Sequence, residues 1–211
     1  MCMEEISAAC ASTGVVMSVN NSLVCWPIEA YGTVEQKKKW LTPLAKGEKL
    51  GCFALSEPGA GSDPGGLKLT ATKVDGGFRI DARKVFSSGC QAGSLLMTSA
   101  VYDDPEAGAT VLHFAIPFSA EGVTILDTWD TMGMRGTGSH DVELKAVFVA
   151  DAAVSGRRPQ GKWHPLFHII SMIAFPLIYS AYLGVAEGAR DAALEMARKK
   201  PANAGLVSLT G

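Results

Sequence analysis

The sequence predicts an α+β protein in which helical segments flank a central domain rich in β-strands. Before Gly51 the apolar residues recur at loosely helical spacing, whereas after it they alternate at every second position. The alternating segments are short and are separated by turns rich in Gly, Pro and Asp. Near the C-terminus the chain returns to a helical pattern, with no Asp, Glu, Lys or Arg between Lys162 and Glu187. These observations indicate helix, sheet and helix in that order.

Residues 1–31 are predicted to be helical, with an interruption at Asn20-Asn21-Ser22, where three polar residues break the apolar face. A second helix is expected from Thr33, which is a good N-cap, with Gln36 in the position of a capping box. We expect Pro43 and Gly47 to close this helical part.

From about Gly51 the pattern predicts an antiparallel sandwich or barrel of about 100 residues. The predicted strands lie at residues 68–72, 78–81, 94–102, 110–116, 123–126 and 141–148. Asp75-Gly76-Gly77 is typical of a hairpin turn. In the last strand Val142, Leu144, Ala146 and Phe148 are expected to face one way, and Asp141, Glu143 and Lys145 the other.

Residues 163–199 are predicted to be helical and apolar enough to raise the question of a membrane span. Pro165, Pro176, the histidines and Ser171 interrupt the run, and we therefore expect a helix buried in a large protein or an oligomer, with no membrane span. His164 and His168 have a spacing that could bind a metal, but without an acidic partner we interpret them as core histidines.

Composition excludes several classes of function. A formal net charge of -2, without a basic run interleaved with aromatics, gives no reason to expect a nucleic-acid partner. The five cysteines are widely spaced and include no Cys-x-x-Cys pair, which favours free thiols in a reducing compartment. The start lacks a basic region followed by an apolar one, so we expect no secretory signal and a cytoplasmic protein.

The stretch Phe53-Ala54-Leu55-Ser56-Glu57-Pro58-Gly59-Ala60-Gly61-Ser62-Asp63 carries the strongest functional signal. Glycines allow a backbone to approach a ligand closely, and turn amides can form a nest for an anion. The residues alone indicate either a site for a phosphate-bearing cofactor or an ordinary turn between two strands. The third glycine of a dinucleotide fingerprint is missing, and the chain has no Gly-Lys-Ser/Thr triplet, which argues against a nicotinamide-type or ATP-type loop.

This stretch resembles the flavin-binding signature of the acyl-CoA dehydrogenase family, in which Ser/Thr-Glu-Pro is followed by Gly-x-Gly-Ser-Asp. The resemblance implies three parts: residues 1–49 as the end of an N-terminal helical domain, residues 50–157 as the central β-barrel flavin domain, and residues 158–211 as the beginning of a C-terminal helical bundle. It further implies that most of that bundle lies outside a truncated chain.

Carried over by position, the resemblance implies an FAD site. Phe53, Leu55 and Ser56 would line the flavin, with Ser56 donating toward N1 or O2. Gly61 belongs to the same stretch, and Ser62 would reach the FAD pyrophosphate or the edge of the acyl-CoA pocket. Phe86-Ser87-Ser88 resembles the second flavin segment, in which Phe86 would cover one ring face and Ser88 would lie near N5. For Phe86 the alternative is a core aromatic.

A third stretch, Met132-Gly133-Met134-Arg135-Gly136-Thr137-Gly138-Ser139, also resembles a family segment, and we interpret it mainly as structure that closes the barrel. The implied function is α,β-dehydrogenation of an acyl-CoA thioester in fatty acid metabolism, with an electron-transfer flavoprotein or similar acceptor as partner. A homodimer or homotetramer is also implied.

Two departures from the family qualify this reading. The family's catalytic glutamate has no counterpart in this sequence, and Phe175 stands where many members have an arginine. The alternatives are a flavin-dependent monooxygenase on the same fold or a non-catalytic remnant.

Overall fold

The computed structural model describes residues 2–60, 66–162 and 164–200. The predicted N-terminal helical part is confirmed, with α1 Cys2–Ala9, α2 Ala11–Ser18, α3 Trp26–Tyr31, α4 Val34–Gln36 and α5 Thr42–Ala45. The polar interruption is a π-helical segment, Val19–Cys25, between α2 and α3. There Asn20 Oδ1 accepts a hydrogen bond from the Gly51 amide at 2.9 Å, which ties the helices to the sheet.

The capping box at Thr33 is confirmed: its side chain accepts from the Gln36 amide, and the Gln36 side chain accepts from the Thr33 amide. Pro43 does not end the helix. It lies inside a helical run that continues from Val34 to Ala45, directly after the π-helical segment Lys37–Leu41. The chain leaves the helix beyond Ala45 through Gly47, whose φ is 73°.

Within the described ranges, eight strands form one sheet. Their bounds are β1 Gly51–Ala54, β2 Leu69–Val74, β3 Gly77–Lys84, β4 Leu95–Asp104, β5 Gly108–Pro117, β6 Val123–Leu126, β7 Asp141–Ala150 and β8 Val154–Pro159. Along the sheet the order is β6-β7-β3-β2-β4-β5-β8, and β1 pairs with β4. All six predicted strands are present. β1 and β8 were not predicted: β1 is only four residues long, and the sequence of β8, Val-Ser-Gly-Arg-Arg-Pro, has little alternation.

The sheet is mixed rather than wholly antiparallel. The first half of β4 pairs in parallel with β1, and its second half pairs in parallel with β2. All other pairs are antiparallel. A parallel pair needs a long connection, and β1 reaches its partner only after the turn region and the β2–β3 hairpin. The end of β1 leads into the turn formed by residues 57–60.

The predicted alternation in β7 is wrong after Leu144. Val142 and Leu144 are buried as expected, but Val147 and Val149 are buried in place of the next two predicted positions. A bulge causes this shift: Ala146 adopts a φ of 53°, and its amide is bonded to Asp81 Oδ1 at 2.9 Å. One extra residue moves all following side chains to the opposite face. Phe148 is consequently 58% exposed.

The predicted C-terminal helix is confirmed as α6, Pro165–Lys199, with Pro176 inside it. It packs closely on α1 at two glycines, since a Cβ on Gly184 would lie 2.2 Å from the Glu4 carbonyl oxygen. Within the described residues, α6 is the one helix long and apolar enough to cross a membrane, a property that core helices of soluble proteins share. Its outer face leaves large apolar side chains exposed, among them Met172, Phe175, Tyr179 and Tyr182.

Candidate functional site

The structure brings the two predicted flavin segments side by side. The carbonyl oxygen of Ser56 accepts a hydrogen bond from the Val85 amide at 3.0 Å, so the turn after β1 lies against the chain that leaves β3. Upstream of this contact, Phe53 in β1 and Leu55 just after it are half-buried. Phe53 packs near Val24 and Leu95, and Leu55 packs on a small cluster that contains Leu67. Ser56 itself is half-buried.

A buried ion pair fastens the same two segments from inside. Lys84 Nζ donates to Glu57 Oε1 at 2.8 Å, and the side chains of both residues are almost completely removed from solvent. The second carboxylate oxygen of Glu57 accepts from the Lys68 amide at 3.2 Å. Burial lowers the pKa of Lys84, and the adjacent Glu57 carboxylate opposes that shift. Glu57 is thereby fixed in the interior, directly after the half-buried Ser56.

A cavity of about 480 Å³ opens where these segments meet. Its lining residues are Glu57, Pro58, Val85, Phe86, Thr128, Trp129, Thr131, Ser139 and Asp141. A volume of this size is within the range of small-molecule and cofactor sites.

Phe86 is the exposed aromatic of this cavity. It is 63% exposed and has a φ of 56°, which is uncommon for a residue other than glycine. Trp129 contacts it edge to face, with ring centroids 6.2 Å apart. Phe86 is therefore not a core aromatic; it is held at the surface in a strained backbone conformation. Strain of this kind persists where the surrounding structure enforces it.

Ser87 and Ser88 occupy different environments. Ser87 is fully buried, its amide donates to the His140 carbonyl at 3.2 Å, and its hydroxyl has no hydrogen-bond partner among the described residues. Ser88 is half-buried and lies within 2.9 Å of Ser139 through its hydroxyl.

The third segment lies directly against this chain and does more than close the sheet. The Gly89 amide donates to the Thr137 carbonyl at 2.7 Å, and the Cys90 thiol donates to the Gly138 carbonyl at 3.2 Å. Burial raises the pKa of Cys90, which keeps it a neutral thiol. These bonds clamp residues 87–90 to residues 137–140, so the second and third segments form one unit.

A chain of three hydroxyls runs through this unit. Ser88 Oγ is 2.9 Å from Ser139 Oγ, and Ser139 Oγ is 2.7 Å from Thr137 Oγ1. Thr137 Oγ1 donates to the Met134 carbonyl at 2.8 Å, and the same carbonyl accepts from Trp129 Nε1 at 3.2 Å. Thr137 and Ser139 are buried, whereas Ser88 is partly open.

The loop that forms the far wall of the cavity is held by His140. The amides of Thr128 and Trp129 both donate to His140 Nδ1, at 3.0 and 3.1 Å. Because Nδ1 accepts both bonds, the imidazole carries its proton on Nε2. Asp141, which follows, is paired with Arg83 at 2.7 Å. The two carboxylates of the cavity, Glu57 and Asp141, are thus both engaged in ion pairs.

Two predicted site residues, Gly61 and Ser62, lie outside the described residues. Within the described ranges no group of three or more His, Cys, Asp or Glu side chains is arranged to hold a metal ion. All five cysteines are free thiols.

Sequence reasoning missed Lys84, Trp129 and His140 as parts of the site. Lys84 carried a detectable signal, because it stands at an inward-facing position of β3, where Phe78 and Ile80 are buried. A lysine at an inward-facing position of a strand requires a buried acidic partner. The stretch around Trp129 and His140 has no periodicity, and its position depends on long-range hydrogen bonds.

The residues present fit a flavin. A flavin ring is flat, apolar on its faces and polar along one edge. The cavity is lined by the exposed ring of Phe86 and by Ser139; Ser56 directly precedes the lining residue Glu57, and the Ser88 hydroxyl lies 2.9 Å from that of Ser139. The strained Phe86 backbone and the buried ion pair at Glu57 are features of a site held ready for a ligand rather than of a plain turn.

Comparisons with known proteins identify the family of the chain. Residues 52–147 match the model of the acyl-CoA dehydrogenase middle domain, and residues 1–48 match that of the N-terminal domain of the same family. The short-chain specific acyl-CoA dehydrogenase of Homo sapiens is 34% identical over 204 residues, which is 95% of this chain and 48% of that protein. The 3-(aryl)acrylate reductase of Clostridium sporogenes is 33% identical over 198 residues, which is 94% of this chain and 52% of that protein.

A solved structure, butyryl-CoA dehydrogenase from Megasphaera elsdenii, superposes with a TM-score of 0.81 at 28% identity, covering 97% of this chain and 53% of that one. The chain thus spans about half the length of the curated relatives it matches. Because two adjoining domain models of one family match along the chain and the fold superposes throughout, the chain belongs to the acyl-CoA dehydrogenase family.

Proposed function

We propose that this chain forms the flavin-binding part of an acyl-CoA dehydrogenase-type flavoprotein that binds FAD beside the Ser56 turn. The observation that carries the proposal is the hydrogen bond from the Val85 amide to the Ser56 carbonyl, which joins both flavin segments at one cavity. When bound there, FAD would supply a hydride acceptor at N5 for the β-hydrogen of an acyl-CoA thioester. Ser56 would donate toward the N1 or O2 edge, which stabilises negative charge on reduced flavin.

The proton at the α-carbon of the thioester requires a base, and neither carboxylate of the cavity is free to act as one. Glu57 is paired with Lys84, and Asp141 is paired with Arg83. The family resemblance assigns this role to a glutamate of the C-terminal bundle with no counterpart in this sequence. The contribution of this chain is therefore to bind and orient the cofactor, with Ser62 as the predicted contact to the pyrophosphate or the substrate.

The direct test is anaerobic mixing of the FAD-loaded protein with saturated acyl-CoA thioesters. Bleaching of the oxidised flavin absorption supports dehydrogenation. Oxygen uptake with externally supplied reduced flavin, without bleaching by acyl-CoA, would instead support the monooxygenase. A protein that retains no flavin on purification yet forms stable oligomers would be a non-catalytic remnant.

The partners follow from the same proposal. Electrons would leave reduced FAD for an electron-transfer flavoprotein or a similar acceptor. The apolar outer face of α6 would be covered by protein in a homodimer or homotetramer rather than by a membrane. A cytoplasmic location is likewise proposed, because all five cysteines are free thiols. Fractionation of cells that express the tagged protein checks the location.

A further inference from the structure

Three polar side chains meet on one face of the sheet, outside the cavity beside Phe86. Ser99 on β4 lies directly across from His113 on β5, and His113 lies across from Gly156 on β8. Arg158 follows Gly156 by two positions on the same strand, so its side chain shares that face. The contact is direct, because Arg158 Nε donates to His113 Nε2 at 3.1 Å. The residues that line the Phe86 cavity are different ones.

This cluster holds more hydrogen-bond donors than the described part of the chain satisfies. Arg158 is only 4% exposed, yet its Nη2 has no hydrogen-bond partner among the described residues. Ser99 is 1% exposed, and its hydroxyl also has no partner there. Because His113 Nε2 accepts from Arg158, the neutral imidazole carries its proton on Nδ1 and adds a further donor. Buried polar groups are nearly always hydrogen-bonded, so two such donors beside one imidazole point to an acceptor from outside the chain.

The cluster also carries an unbalanced positive charge. Arginine is almost never buried unless it is paired, and no acidic side chain of the described residues forms an ion pair with Arg158. The nearby Lys84 is already paired with Glu57. Burial, followed by the charges of Arg158, His164 and Lys84, lowers the pKa of His113 to about 4, which reflects a positive potential at the imidazole. An anion would offset this charge.

Phe167, in the first turn of α6, holds the guanidinium in place. The Arg158 Cζ atom lies over the Phe167 ring, 4.5 Å from its centroid. An aromatic ring against the face of a guanidinium leaves the N–H groups along its edge available for hydrogen bonds in the plane. His113 is only half-buried, so the cluster is not sealed from solvent.

We propose that Arg158, Ser99 and His113 form a binding site for a phosphate group. A phosphate group supplies three strong acceptor oxygens and a negative charge of up to about two, which suits several donors around one unpaired guanidinium. Arginine binds phosphate through two parallel N–H···O bonds. The same chemistry serves inorganic phosphate and the phosphate group of a nucleotide. The site is separate from the proposed flavin cavity and does not depend on flavin binding.

Calorimetric titration at constant ionic strength, with inorganic phosphate and separately with ADP, tests the site. Binding of inorganic phosphate identifies the free anion as a ligand, and binding of ADP alone identifies a nucleotide phosphate, provided that Arg158→Met weakens it. Arg158→Met should weaken binding about a hundredfold and Ser99→Ala about tenfold, because each removes hydrogen bonds to a charged group.

Arg157→Met is the matched control. It removes the same charge from the neighbouring position of β8, but Arg157 is exposed and lies on the opposite side of the strand, so phosphate binding should persist. Chemical denaturation gives a second readout. In phosphate-free buffer Arg158→Met should be at least as stable as the native protein, because it buries no unpaired charge. Phosphate should then stabilise the native protein and Arg157→Met but not Arg158→Met.

Three results would overturn the proposed site. The first is native protein that binds neither inorganic phosphate nor ADP. The second is an Arg158→Met variant that binds them as tightly as the native protein. The third is an Arg158→Met variant that is clearly less stable than the native protein in phosphate-free buffer, since the guanidinium would then be satisfied within the protein itself. All three leave the flavin proposal standing.

Discussion

At the residue scale, the fastening of the site depends on the Lys84–Glu57 pair. Lys84→Met would leave a buried carboxylate without its counter-charge, which costs about 3–5 kcal/mol of unfolding free energy. The double variant Lys84→Met with Glu57→Gln should recover much of this loss, because no unpaired charge remains. Chemical denaturation measures the unfolding free energies of the single and the double variant. Lys73→Met is the control, since it breaks a half-exposed pair with Asp151 and should cost about 1 kcal/mol or less.

A second residue, His113, gives a pH dependence of known sign. Burial, followed by the nearby Arg158, His164 and Lys84 charges, lowers the pKa of His113 from 6.5 to about 4. Arg158 Nε donates to its Nε2 at 3.1 Å, which also requires the neutral ring. Between pH 6.5 and pH 4 the unfolded state binds a proton at His113 and the folded state does not. The contribution of the neutral ring to the free energy of unfolding is therefore complete above pH 6.5 and is lost as the pH falls toward 4.

The expected loss attributable to His113 is up to about 3 kcal/mol over that pH range. His113→Gln should remove this part of the acid sensitivity, so the difference between native and variant unfolding free energies should change steadily from pH 6.5 to 4. Parallel curves for the two proteins across that range would contradict the assignment.

The residues that could be predicted and those that could not differ in the range of their interactions. Ser56, Phe86 and Ser88 stood out because they lie in short motifs whose chemistry is local. The contact between the Ser139 and Ser88 hydroxyls could not be predicted, because the two residues are 51 positions apart in the sequence. Long-range contacts of this kind leave no local pattern.

At the scale of elements, helix and strand periods predicted most of the architecture, and departures occurred where one residue breaks a repeat. The bulge at Ala146 is an example: an alanine with positive φ carries no sequence signature, yet it inverts the faces of Val147 and Phe148. The parallel pairing of β4 with β1 and β2 was also beyond local reasoning, because periodicity does not encode strand direction.

The packing of α6 on α1 gives a prediction at the same scale. Gly184→Ala would place a Cβ 2.2 Å from the Glu4 carbonyl oxygen and 3.0 Å from the Ala8 amide nitrogen. The helices must separate, and we expect a loss of about 1–3 kcal/mol of stability, measured by thermal or chemical unfolding. In an unpacked helix the same change would stabilise by about 1 kcal/mol, so a gain in stability would show that α1 does not lie on α6.

At the scale of the whole molecule, the exposed apolar face of α6 predicts self-association. Tyr179 and Tyr182 are each 67% exposed and stand close together on that face. Replacing both by glutamate should shift the protein toward the monomer in light scattering coupled to size-exclusion chromatography. Val34→Glu, at an exposed apolar position on α4, should not. A native protein that is monomeric at micromolar concentration would contradict the prediction.

The central claim is that one flavin lies between the Ser56 turn and the segment from Phe86 to Ser88, and equilibrium titration with FAD tests it most directly. Native protein should bind FAD, Phe86→Ala should weaken binding about tenfold through lost ring contact, and Ser56→Ala should weaken it about fivefold through a lost hydrogen bond. Ser155→Ala, on the exposed strand β8, should bind as the native protein does. FAD affinity that is unchanged in both site variants, or absent from the native protein, would contradict the account.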